Sequence, residues 1–172
     1  LALGVRSAKE TIKNESLYML GLLGIQVVMA YEWLSGGWGK VAEPKFIDGI
    51  AKTLGSFASQ NPFPWYKNFL LGFATDNATA FAYAVAYGEL AIGIGLFAAT
   101  GAYVYFKDEK VKRLALIVSV AALFGGVLMN ANFYLAAGWT SASTRGSNLV
   151  MFWPQLILMY VWISVLLSKR RT

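Results

Sequence analysis

The stretch from Phe81 to Tyr103, FAYAVAYGELAIGIGLFAATGAY, decides how this chain is read. It holds 23 residues and one formally charged side chain, Glu89. A helix rises 1.5 Å per residue, so this stretch reaches about 34 Å, enough to cross a hydrocarbon core of roughly 30 Å. Glu89 falls near its middle, where a carboxylate is costly unless it is protonated, paired or wetted. Ala82, Ala86 and Gly93 share its helical face. Small residues let helices approach closely, so the face carrying Glu89 is expected to look into a bundle and away from lipid.

The rest of the chain has the same character. Of 172 residues, 57% are hydrophobic and 14% charged, and the mean hydropathy is +0.51. A soluble domain is about a quarter charged. The net charge of +6 sits beside apolar spans, so it is no sign of nucleic-acid binding. Cysteine and histidine are both absent. No disulfide, thiolate cluster or histidine-ligated haem, copper or zinc site can be built from these residues, and no metal site is expected.

Four spans follow from the apolar runs, at about 16–34, 81–103, 114–135 and 148–167, within a single domain over 1–172. The expected fold is an all-α integral membrane bundle of four transmembrane helices. A glycine-rich segment, Ser35-Gly-Gly-Trp-Gly-Lys40, reads as the end of the first helix. In the long first connection, Phe46, Ile50, Leu54 and Phe57 alternate at helical spacing with Lys45, Asp48, Lys52 and Ser56. This predicts an amphipathic helix lying in the interface, too short to span. Asn61-Pro-Phe-Pro-Trp-Tyr66 ends it. Asn68 to Phe73 is apolar and fits the bilayer edge. Pro154 falls in the first two turns of the fourth span, where proline is best tolerated.

Ten of the fifteen basic residues lie in the lead-in (Arg6, Lys9, Lys13), the second connection (Lys107, Lys110, Lys112, Arg113) and the tail (Lys169, Arg170, Arg171). The positive-inside rule then places both termini in the cytoplasm, in the cytoplasmic membrane. The lead-in has no small-residue cleavage site after its apolar run and reads as a cytoplasmic segment.

With that topology the polar groups of the spans gather in the outer half: Glu32, Glu89, Asn130, Asn132 and Gln155, with Lys40 and Arg145 above them. The inner half reads as plain aliphatic packing. A pocket opening outward is expected, with Glu89 and Glu32 as candidate catalytic acids. Lys40, Asn130, Asn132, Arg145, Gln155 and Trp33 are the candidate binding residues. Each has a plainer role as well. Glu89 is equally a protonated or lysine-paired helix contact, and Glu32 an interfacial partner of Lys40. The asparagines and Gln155 are equally interhelical hydrogen bonders. Trp33, Trp38, Trp65, Trp139 and Trp153 suit an aromatic belt at the interface. Arg145 with Ser141, Ser143 and Thr144 forms either an oxyanion site or a solvated turn.

Several motifs, in this order, resemble the DoxX/DoxD family. They are WLSGGWGK (Trp33–Lys40), Pro64-Trp-Tyr66, Gly88-Glu89-Leu90 with Gly93-x-Gly95, and Asn130-Ala-Asn-Phe-Tyr134 running on through Gly138-Trp-Thr-Ser-Ala-Ser-Thr144 to Asn148. The resemblance covers nearly the whole chain. It implies a membrane subunit working with a smaller, DoxA-like partner in a thiosulfate:quinone oxidoreductase-like complex, with quinone as a substrate. Thiosulfate would be oxidised to tetrathionate at the outer face. Two further functions fit the residues: a non-catalytic accessory subunit of a respiratory or photosynthetic membrane complex, and a small transporter or quinone-binding module. Membrane lipid is an expected partner in every case, and nucleic acid in none.

Overall fold

A computed structural model describes the backbone of residues 2–168 and the side chains of 17–43 and 45–168. The basic tail at 169–172 lies outside the described residues, as do the side chains of the lead-in. The described chain is all helix: α1 (Ala2–Ala42), α2 (Pro44–Ser59), α3 (Pro64–Phe69) running into a π-turn (Leu70–Ala74), α4 (Ala78–Tyr105), α5 (Glu109–Ala137) and α6 (Ala142–Ser168). Four stretches are long and apolar enough to cross a membrane: Leu17–Ala42, Ala78–Tyr105, Glu109–Ala137 and Ala142–Ser168. The protein is an integral membrane protein built as a four-helix bundle, with α2, α3 and the π-turn capping one end.

The first helix does not stop at its glycines. It runs through Gly36, Gly37 and Gly39 to Ala42. The reason is its neighbour. A Cβ on Gly37 would lie 2.7 Å from the Leu90 backbone nitrogen, and one on Gly93 would lie 2.7 Å from that of Leu34. The glycines thus set a close crossing of α1 and α4, each helix offering the other a bare patch of backbone. What reads as a helix terminator in water serves here as a packing surface, because in lipid a broken helix would leave backbone groups unsatisfied.

The sixth helix also departs from its expected bounds. It begins at Ala142, six residues before the apolar run, because the Ser141 hydroxyl accepts from the Thr144 backbone N–H (3.0 Å) and caps the first turn. Pro154 therefore lies inside the helix. Asp108 caps α5 in the same way, accepting from the Lys110 backbone N–H at 2.7 Å.

The end of the bundle away from the cap is not plain aliphatic packing either. Gln26 on α1 is fully buried among all three other spans. Its amide donates to Thr100 Oγ1 and Ser119 Oγ, both at 2.9 Å, and its oxygen accepts from Trp162 Nε1 at 2.7 Å. The Thr100 hydroxyl in turn donates to the Leu96 carbonyl (2.8 Å). One side chain therefore ties α1, α4, α5 and α6 together. Every N–H of this hub that the contacts involve has an acceptor, which lets a polar group sit in an apolar interior. Leu23, Leu96, Leu116, Leu123 and Leu158 pack around it.

The amphipathic helix forms where its spacing places it. Phe46, Ile50, Leu54 and Phe57 turn inward, with Leu54 and Ala58 buried, while Lys45, Asp48, Lys52 and Ser56 stay exposed. Asn61 anchors the chain after it: its Nδ2 donates to the Leu135 carbonyl (2.6 Å) and its Oδ1 accepts from the Phe63 N–H (3.0 Å). Leu135 is in the last turn of α5, where carbonyls lack intrahelical partners, so the cap supplies one.

Candidate functional site

The site is built where the cap meets α4 and α5. Glu89 is buried at 3% exposure, on the face it shares with Ala82, Ala86 and Gly93, all buried as expected. Its Oε2 lies 2.6 Å from Lys40 Nζ. Lys40 descends from the last turn of α1 and also donates to the Gly36 carbonyl (3.3 Å). Gly36 makes room for the acid: a Cβ there would lie 3.0 Å from Glu89 Oε2. The close crossing described above is thus what lets the two charges meet. Lys40 keeps 29% of its side chain exposed, whereas Glu89 keeps 4%. The pair is lopsided, with a buried acid served by a cation that still reaches solvent.

Beside this pair lies a cavity of about 550 Å³. Aromatic and aliphatic side chains form most of its wall, among them Phe46, Phe57 and Leu54 from α2, Phe69 and Leu70 from the α3 segment, and Phe81 from α4. The π-turn contributes Leu70 and Ala74, both buried, with Thr75 Oγ1 donating to the Leu70 carbonyl at 2.6 Å. Such widened turns recur at functional sites. Polar groups are few: Lys40, Glu89, Tyr66, Asn132, Thr144 and Asn148, with Thr53 on the α2 side. Tyr66 Oη donates toward Asn132, 3.3 Å from both its carbonyl oxygen and its Oδ1. Burial raises the Tyr66 phenol above its ordinary value, so it remains a neutral donor. An apolar chamber with a charged pair and a few hydroxyl and amide groups suits an uncharged amphipathic molecule whose polar end carries oxygen acceptors.

The expected site residues divide into groups. Glu89, Lys40 and Asn132 come together on the cavity wall. Asn130 does not join them. It is buried on another side of α5, lining a separate cavity between α5 and α6. Trp33 and Gln155 are spent on each other: Trp33 Nε1 donates to Gln155 Oε1 at 3.0 Å, and Gln155 Nε2 to the Met151 carbonyl at 2.6 Å. Gly126 leaves the space for this contact, because a Cβ there would collide with the Gln155 amide. Trp33 is therefore a core residue at 4% exposure and not part of an aromatic belt, unlike Trp38, Trp65 and Trp153, which are exposed.

Glu32 is exposed on the outside of the bundle, and Lys40 pairs with Glu89 in its place. Arg145 is not a lining residue of the chamber. It donates to the Gly138 carbonyl (3.2 Å) and stacks over the Trp139 ring at 5.1 Å. With Ser141 and Thr144 engaged at the start of α6, this loop is a capped turn and not an assembled oxyanion site. Among the described residues no group of three or more acidic side chains converges as a metal site.

Neither Tyr66 nor the π-turn is among the site residues that the sequence marks, although Pro64-Trp-Tyr66 is one of its motifs. The signal available was a phenol two residues after Pro64, which starts α3. Comparison of the chain with models of protein families, with curated proteins and with solved structures finds no match in any of the three.

Proposed function

We propose that this protein is a membrane subunit that binds a quinone in the cap chamber, with the Lys40–Glu89 pair at the polar end of the site. The observation that carries this reading is the chamber's composition. Its walls are overwhelmingly apolar and aromatic, and its polar groups are a charged pair plus neutral donors. A quinone ring presents two carbonyl acceptors on a flat apolar body, which matches both parts. Tyr66, Asn132 and the Lys40 ammonium are candidate donors to those carbonyls. Glu89 is the group placed to pass a proton, since it is the carboxyl on the wall and its lysine partner reaches solvent.

The resemblance to the DoxX/DoxD family extends the proposal to coupling with thiosulfate. In balanced form two thiosulfate ions and one quinone, with two protons, give tetrathionate and quinol. The dianion does not suit the chamber itself. Lys40 is the one basic residue on its wall, and Glu89 already neutralises it. With neither cysteine nor histidine in the sequence, this reading gives the sulfur chemistry to a partner subunit or to direct electron transfer between bound substrates. The exterior acid Glu32 favours an assembled complex, because an exposed carboxylate on a spanning helix is costly against lipid and is relieved by a partner's donor.

Binding of a short-chain quinone to the purified protein tests the reading. Ala84→Trp fills the chamber from an exposed position on its wall. It is expected to weaken binding by tenfold or more, while Leu114→Trp on the bundle exterior leaves it unchanged. Equal binding by both variants removes the chamber as the site. The basic residues also propose a sidedness, with the cap outward. A maleimide that cannot cross the membrane is expected to label Lys52→Cys from outside and Lys110→Cys only after the membrane is opened. The reverse pattern inverts the topology.

A further inference from the structure

A second site lies on the other side of α5. Asn130 is buried at 3% exposure, and its Nδ2 has no hydrogen-bond partner. Among the described residues the indole Nε1 of Trp139 is the other buried side-chain N–H without a partner, and among the buried amides Asn130 is the exception. Gln26, Gln155 and Asn61, the other buried amides, each have an acceptor for their nitrogen. A buried amide N–H left without an acceptor is costly, and more so in a membrane, where no bulk water can reach it. Asn130 lines a cavity of about 300 Å³ in the groove between α5 and α6. The rest of that wall is apolar and aromatic, with Phe152 and Leu149 from α6 and Tyr134 from α5. Asn148 is the other amide on it, and Trp153 stands at the rim, 55% exposed.

We propose that this groove is a binding site for a carbonyl or ester oxygen carried on an apolar body, with Asn130 Nδ2 as its donor. Three features point to this chemistry. The orphan group is a donor, so the ligand must bring an acceptor. Neither lysine, arginine nor acid lines the cavity, so the ligand is uncharged where it touches the protein. The volume is too small for a whole lipid, so it takes a segment, such as the ester region of one acyl chain or one carbonyl edge of a ring. Asn130 lies seven residues before the end of α5, which is about 10 Å along the helix. That level suits the boundary between acyl chains and headgroups, where ester carbonyls reside and tryptophans such as Trp153 collect. The groove shares Asn148 with the wall of the cap chamber, but Asn130 lines only the groove, so the proposal stands whether or not the chamber takes a quinone.

Native mass spectrometry of the purified protein in defined nanodiscs tests it. The lipid is supplied as a diester or as its diether analogue, which has the same headgroup and chains but no carbonyl. The expected result is that the protein retains the diester lipid about threefold or more over the diether, the size of one hydrogen bond in lipid. Asn130→Leu is expected to abolish that preference. Leu149→Trp, which crowds the cavity from its rim and leaves Asn130 in place, should lower retention of both lipids together. It also serves as the control if the Asn130 variant is poorly folded. A short-chain quinone added to the diester sample separates the two sources. Displacement of the retained lipid, reversed in Asn130→Leu, assigns the groove to a quinone carbonyl, and persistence of the lipid assigns it to the ester. Equal retention of diester and diether by the wild-type protein, or an unchanged preference in Asn130→Leu, overturns the proposal.

Discussion

Gly93→Val is expected to drive α1 and α4 apart and to destabilise the purified protein by about 3 kcal/mol or more, above the usual cost of overpacking because backbone blocks the way. The geometry leaves no cheap relief. A single Cβ at Gly93 would come within 2.6 Å of Leu34 Cγ, 2.7 Å of the Leu34 nitrogen and 3.0 Å of the Ala30 carbonyl oxygen. The leucine side chain can move, but the backbone atoms move only with the whole helix. The same crossing holds Lys40 against Glu89, one turn before Gly93 on α4. Thermal unfolding in detergent reads the loss. Gly101→Val, at an exposed position on the same helix with open space around its Cβ, provides the comparison and should cost well under half as much. Similar unfolding temperatures for the two variants would show that the glycines do not set the crossing.

The second large effect is an asymmetry within the ion pair. Lys40→Met removes the cation and leaves a buried carboxylate without its partner, which costs about 3–5 kcal/mol when a buried pair is broken from one side. Glu89→Gln leaves an ammonium that is already partly exposed and can turn to water, so its cost is expected to be about 1 kcal/mol. The double variant carries no charge at the site and should recover most of the stability lost in Lys40→Met. A complete double-mutant cycle by denaturant or thermal unfolding measures this. Equal costs for the two single variants, with no recovery in the double, would mean that the pair does not exist as described.

The fold was legible because its signals are long and additive. Four apolar runs and one amphipathic stretch need only periodicity and length to be recognised, and Glu89 could be assigned to the interior because small residues recur on its face. Local punctuation misled. In the first helix, glycines between Ser35 and Lys40 look like a stop, yet Gly37 meets the backbone of Leu90 and Gly36 the carboxylate of Glu89, information carried more than fifty residues away. Ser141 hides the true start of α6 in a polar run that resembles a loop.

The site was half legible for the same reason. Asn130 and Asn132 stand two residues apart on one helix, so they must face different directions, and only the packing of α6 and the cap tells which cavity each meets. Gln26, Thr100, Ser119 and Trp162 are unremarkable singly. They become a hub because four helices bring them to one level, which no local pattern encodes.

The most direct test of the quinone chamber is photolabelling of the wild-type protein in membranes with an azido-quinone, followed by mapping of the modified peptides. Adducts on α2 and on the Tyr66–Phe69 segment, suppressed by excess unlabelled quinone and lost in Ala84→Trp, are the predicted result. Labelling spread over the bundle exterior, at positions such as Tyr31 and Leu128, and unaffected by competitor would contradict it.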